Sequence, residues 1–246
     1  MLDLPAAQLS LWSGGDSAED WSVRVSRRAR RLAVRVFHSG RVEIVVPPRT
    51  AARAVEHFIT HHRDWIERRR SEAARLAPPP EPFPPRGIEF AASVESWRLH
   101  LAGGGGRVRL SAAAGLISVR GTPASSAELR TRLRDWLITR ARDVLAPMLD
   151  EAAREMACGY QRLSIRRRRT RWGSCSRSGT ISLNCCLLFQ PREVVRYLLV
   201  HELAHLRHMN HSQRFWQLVG AHCPQYRRLD RELLNGWQHV PSWVFA

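Results

Sequence analysis

Over residues 198–216 the chain reads LLVHELAHLRHMNHSQRFW, which sets His201, His205, His208 and His211 close together with Glu202 among them. A neutral imidazole nitrogen is a good ligand for a borderline divalent ion, and a carboxylate beside such an ion can carry a proton. His201 and His205 are separated by four positions, so on a helix they share a face about 6 Å apart along the axis, within reach of one ion. Glu202 is rotated from His201 by about 100° and can touch a water on that ion without being a ligand. The pattern is H-E-x-x-H. Its helix, opening with Pro191 as a first-turn residue, carries Val194, Val195, Tyr197, Leu198, Leu199, Val200 and Leu203 and is apolar on nearly every side. Such a helix is buried, and an ionisable His-Glu pair inside it is costly unless something compensates.

Two imidazoles make a weak site, whereas a catalytic zinc takes three protein ligands and keeps an open position. His208 has helical spacing, but His201, His205 and His208 on one straight helix form a row about 10 Å long that cannot surround a tetrahedral ion. The chain has to turn. Asn210 and Gln213 fit a capping box, with Asn210 as the N-cap and Gln213 as the third helical residue. Phe215, Trp216 and Val219 then form the apolar face of a new helix, and His211 sits in its first turn, swung back over the site. The resulting H-E-x-x-H-x5-H spacing is that of metzincin ligands. His208 stands where their turn has glycine, and no methionine follows Met209 to form their Met-turn.

These residues need a scaffold, and the chain of 246 residues is long enough to bury one, with 44% hydrophobic and 25% charged residues as in ordinary globular proteins. Residues 1–20 read as a flexible tail, 21–76 as a β-meander plus a helix starting at Thr50, and 77–86 as a proline-rich linker. Short β-strands follow over 87–124, and 125–246 forms the metallohydrolase region. That region opens with a long helix over 125–158, striped by Leu133, Trp136, Leu137, Ala141, Leu145 and Leu149 and kinked at Pro147. Next come a strand, a turn at Ser178-Gly179 and a second strand. Strands and helices without regular βαβ alternation give an α+β fold. No apolar run reaches the roughly 18–20 residues of a membrane span, and the start lacks a signal-peptide pattern, so a cytoplasmic location without a membrane partner is expected. Five cysteines, odd in number and without C-x-x-C spacing, read as reduced thiols.

Three stretches together, TRWGSCSRSGTISLN, VVRYLLVHELAHLRHMNHSQRFW and CPQYRR, resemble the YgjP-like metallopeptidases, relatives of SprT-like zinc proteases. RRARRLAVRVFHSGRVEIVVPP and HHRDWI extend the resemblance over about 23–234. The resemblance implies a zincin-like C-terminal region with a buried H-E-x-x-H helix packed on a small sheet. It also implies one zinc ion on His201, His205 and His211, with Glu202 as the catalytic base. His208 falls where the family motif has no ligand.

The expected reaction is hydrolysis of a peptide or protein through a zinc-activated water and a glutamate base. An extended substrate needs a strand edge, and GTISLN or RTRWGSC supplies the candidate. Arg171, Trp172, Gly173 and Ser174 are the candidate substrate contacts, Trp172 reading first as strand packing. Cys175 reads as a buried, inert thiol. A second reading keeps the zinc and uses Arg166, Arg167, Arg168, Arg169 and Arg171 to bind a nucleotide's phosphates for phosphohydrolysis. A third is a nucleic-acid-associated module with a structural zinc, for which Glu202 has no use. The formal charge of +17 comes from 39 arginines and no lysine. It predicts non-specific polyanion or nucleic-acid association at low salt, while oligomeric state and cleavage preference have no signature in the sequence.

Overall fold

The computed structural model describes residues 21–37, 40–76, 82–123 and 125–245. The expected tail over 1–20, His38 and Ser39 of the expected hairpin turn, and linker residues 77–81 lie outside the described residues. The chain divides into two compact units, Met1–Ala77 and Pro78–Ala246. Among the described residues there are five α-helices and three small sheets. None of these helices is long and apolar enough to cross a membrane.

The first unit contains β1 (Trp21–Val25), β2 (Ala33–Val36), β3 (Val42–Val46) and α1 (Ala52–Leu76). β2 and β3 form an antiparallel hairpin, but β1 does not continue it as the expected meander. It lies on the other side of β3, parallel to it, in the order β1-β3-β2. Burial explains the exchange. VEIVV of β3 is almost wholly buried, while β2 alternates exposed and half-buried positions, so the continuous apolar run takes the centre. Val55, Ile59 and Ile66 give α1 one buried face over Trp21, Val42, Ile44 and Val46. Thr50 donates its hydroxyl to the Pro47 carbonyl at 2.9 Å, and the helix begins at Ala52.

In the second unit β4 (Gly87–Phe90), β5 (Glu95–Gly103), β6 (Arg109–Ala113) and β7 (Leu116–Arg120) make a sheet of order β4-β5-β7-β6, with a parallel central pair. α2 (Ser126–Glu155) starts at Ser125, whose side chain accepts the Glu128 N–H at 3.2 Å. It runs on through Pro147, and Leu133, Leu137, Ala141, Leu145 and Leu149 are its fully buried stripe. A second sheet, of order β8-β10-β9, is built from β8 (Arg162–Arg166), β9 (Gly173–Cys175) and β10 (Thr180–Asn184). β10 is central, parallel to β8 and antiparallel to β9, which leaves the far side of β9 an open edge within this sheet. A 3-10 turn over Cys185–Phe189 leads to α3 (Arg192–Ala204), α4 (Gln213–His222) and α5 (Tyr226–Asn235). α3 touches α2, α4, α5 and β9, and one apolar core joins these elements to the four-stranded sheet.

RTRWGSC forms a strand only over its last three residues, because the segment before it is held as a loop. Asn184, 1% exposed, donates from Nδ2 to the carbonyls of Arg168 at 2.7 Å and Arg171 at 2.9 Å. Its Oδ1 accepts the Cys186 N–H at 3.1 Å, and its own N–H donates to the Trp172 carbonyl at 2.8 Å. One buried side chain therefore satisfies three backbone groups. Asn184→Ala is expected to cost about 2–4 kcal/mol in urea unfolding. A loss below about 1 kcal/mol would mean that water replaces those bonds.

Candidate metal centre

α3 ends at the histidines. His201 lies in its last turn and His205 is its C-cap, after which the N–H groups of Leu206, Arg207 and His208 bond back to the carbonyls of Leu203 and Ala204. This tight wrap carries the His208 carbonyl to 3.1 Å from His205 Nδ1. A carbonyl only accepts, so Nδ1 bears the proton and Nε2 keeps its lone pair. His208 thus contributes its backbone oxygen to the site.

The return differs in detail from the expected capping box. Ser212, not Asn210, is the N-cap of α4, and no side chain caps it. Met209 and Asn210 are consumed in the reversal, so the helix begins two residues later and His211 precedes it rather than lying in its first turn. His211 still swings back. Its Nε2 lies 3.1 Å from His201 Nε2, and one nitrogen from each of His201, His205 and His211 falls within 4.8 Å of the others.

His201 is held on its other side. Tyr197 donates its hydroxyl to Asp230 Oδ1 at 2.7 Å, and the same oxygen lies 3.4 Å from His201 Nδ1. With the phenol proton committed to Asp230, the oxygen accepts from His201 Nδ1–H, and again Nε2 is the free lone pair. Phe215, fully buried, packs its ring centroid 4.6–5.0 Å from all three imidazoles. Trp216 lies nearly parallel to His211 at 5.6 Å and stacks in turn on Tyr226 at 5.2 Å.

Electrostatics agrees with this arrangement. Burial, with the neighbouring His205 and His211, depresses the His201 pKa to about 4, and burial lowers His205 as well. Both rings are therefore neutral near pH 7, which is the ligand form. The His201–His211 nitrogen separation of 3.1 Å is close to the roughly 3.3 Å that two imidazoles adopt on a tetrahedral zinc. This donor set fits a divalent ion.

Glu202 is 5% exposed, and burial raises its pKa to about 8, with Arg171 drawing it back down. Its Oε2 is buried without a hydrogen-bond partner. Gly173 explains how the carboxyl fits: a Cβ at that position would lie 2.5 Å from Glu202 Oε1, so only glycine lets β9 pass so close. Of the other candidate contacts, Ser174 is half-buried on β9 and Arg171 is exposed. Trp172 is buried and stacked on Trp237 at 4.0 Å, a packing role. Cys175 is half-buried rather than buried, and its thiol is pushed up to about 11 by desolvation and by Glu202, which keeps it protonated. Within the arginine strip, Arg167 and Arg169 donate to the carbonyls of Val244 and Phe245. Tyr197, Asp230 and Phe215 are site residues that the sequence did not single out. Tyr197 was findable, four residues before His201 on the same helical face.

A family model described as YgjP-like, metallopeptidase domain, matches residues 30–235. No curated protein matches the chain. Among solved structures, the metallopeptidase zymogen abylysin of Pyrococcus abyssi aligns at 25% identity over 39% of this chain and 97% of that one, with a TM-score of 0.36.

The buried carboxyl and the half-buried imidazoles of His201 and His205 predict the pH dependence of the metal-free protein. The folded pKa of Glu202, about 8, lies above the ordinary 4.5, so its contribution is complete below 4.5 and is lost as pH rises through 8. His201 and His205 are held below 6.5, so they add stability as pH rises toward 6.5 and nothing further above it. Between pH 6.5 and 8 Glu202 dominates this group, and metal-free stability should fall by on the order of 2 kcal/mol. Denaturation of metal-free wild type and Glu202→Gln across that range checks this. The glutamine variant should lose the slope, and equal slopes in both proteins would contradict a protonated Glu202.

Proposed function

The chain belongs to the YgjP-like metallopeptidase-domain family, and from that premise we propose that it is a zinc-dependent peptidase of the H-E-x-x-H type. In this reading His201, His205 and His211 hold one zinc ion, three imidazoles being a ligand set suited to that metal. The observation that carries the reading is the orphaned, buried Oε2 of Glu202 on the helix that also brings His201 and His205 toward His211. A buried acceptor without a partner is costly, and a water at the ion would satisfy it. The second unit from α2 onward then reads as a zincin-like region.

When bound, the ion supplies Lewis acidity that polarises the scissile carbonyl and lowers the pKa of water. Glu202 takes the proton of the attacking water as the new C–O bond forms. It passes that proton to the amine nitrogen as the C–N bond breaks. Tyr197 and Asp230 keep His201 in its tautomer, and the His208 carbonyl does the same for His205. The open edge of β9, whose Gly173 runs against Glu202, offers backbone partners to an extended peptide. Arg167 and Arg169, two of the five arginines of the strip, are engaged by carbonyls of the chain itself, which leaves fewer guanidinium groups for a polyphosphate.

Metal content by mass spectrometry tests the ligand set. Wild type and His208→Ala are expected to carry one zinc per chain, and His211→Ala to lose most of it. The reverse pattern would transfer the third position to His208. Glu202→Gln should keep its zinc while peptide hydrolysis falls by about 10²–10⁴-fold. Glu202-dependent phosphate release from nucleoside triphosphates, with unfolded protein left intact, would sink the peptidase reading.

A further inference from the structure

Arg171 is a charge with no structural employment. Its guanidinium is exposed and makes no hydrogen bond or ion pair among the described residues, unlike Arg167 and Arg169 on the same strip. Its backbone, by contrast, is fixed. Asn184 holds its carbonyl at 2.9 Å, and the next residue, Trp172, is locked against Trp237. An arginine on a clamped loop loses little further freedom when it takes a partner. In sequence it stands two residues before Gly173, the residue of β9 that runs against Glu202.

The direction of β9 gives that charge a place relative to a substrate. β9 runs from Gly173 to Cys175 with one edge open, and Arg171 lies two residues before its first residue. A peptide added antiparallel to that edge runs its C-terminal side toward Arg171. With the scissile bond opposite Gly173, where Glu202 is nearest, two residues at about 3.4 Å each put Arg171 level with the first or second residue beyond that bond.

We propose that Arg171 is a specificity residue that binds a substrate carboxylate on the C-terminal side of the scissile bond, from an acidic side chain or from the chain terminus. The inference rests on the peptidase reading. The guanidinium fork matches a carboxylate bidentately, and a charged hydrogen-bond pair of this kind is worth roughly 10–100-fold in affinity.

The test measures binding rather than turnover, using full-length, zinc-loaded Glu202→Gln and fluorescence anisotropy. One peptide sequence is made in four forms: neutral and amidated, acidic just after the central bond and amidated, acidic just before it and amidated, and neutral with a free C-terminus shortly after it. A carboxylate after the bond should tighten binding at least about tenfold over the neutral form, and one before it should not. Comparing the second and fourth forms tells side chain from chain terminus. The preference should vanish in Arg171→Ala, return in part in Arg171→Lys, and survive in Arg177→Ala, an exposed arginine on the turn after β9. Survival in Arg171→Ala, equal loss in Arg177→Ala, preference for an acid before the bond, or no binding of any form would each overturn the proposal. Equal zinc content in all variants guards against misfolding. Wild-type cleavage of the tightest peptide is scored separately. An Arg171-dependent preference without cleavage fails the peptidase reading and leaves the carboxylate site standing, whereas cleavage without the preference does the opposite.

Discussion

A carboxyl group and two imidazoles lie at the end of a helix that is apolar and buried from Tyr197 onward around them. Taking such groups out of water is among the more expensive things a small protein does, and the surrounding structure can be derived from that cost. The imidazoles respond by losing their charge, and each directs a ring proton to a defined acceptor. Glu202 finds no acceptor or donor for Oε2, and the backbone opposite it is stripped to glycine to make room. A chain selected only for stability would place leucine at 202. The unresolved cost at this residue is the physical mark of a site with a job to do.

The second demand is geometric. Three nitrogens converge only if the chain reverses after His205, and the reversal is short because one piece of backbone serves two ends. The His208 N–H closes the turn onto the Ala204 carbonyl, and the His208 carbonyl accepts the His205 proton. Phe215, on the first turn of α4, then fills the space under all three rings, so the incoming helix is locked to the outgoing one by the residues it has to orient. His208 has the best helical spacing of the four histidines, yet its backbone is what the site uses.

How much of this was legible follows from the range of each interaction. The pairing of His201 with His205, the burial of their helix, the exclusion of His208 and the need for a turn are consequences of a 3.6-residue repeat, so the sequence carries them. The turn itself was misplaced: Asn210 has cap chemistry, but the reversal spends that residue and α4 starts after Ser212. The three-stranded sheet of the first unit was read as a meander because sequence neighbours usually pair, whereas burial moved β3 to the centre. Asn184 and Asp230, and the clearance that Gly173 gives Glu202, escaped for a common reason. Each acts on residues far away in the chain, and an asparagine, an aspartate or a glycine has no periodicity to betray it.

The arginine excess takes on a different meaning once its partners are known. Arg196 donates to the His222 carbonyl at 2.9 Å, where α4 ends, and Arg207 to those of Met156 and Ala157 at 3.0 Å, where α2 ends. Arg134 donates to the Trp243 carbonyl at 3.0 Å, and Arg70 to that of Gly40 at 3.1 Å. Helix C-termini leave carbonyls unpaired and carry partial negative charge, so a guanidinium satisfies both deficits with its several donors. Each of these bonds uses a positive side chain without requiring a negative one. A fold that finishes helix ends and loops with arginine in this way accumulates net charge as a by-product of closing its own backbone. These bonds give some of the 39 arginines a use within the fold that needs no outside partner, and the informative arginine near the metal centre is one whose guanidinium the fold leaves unused.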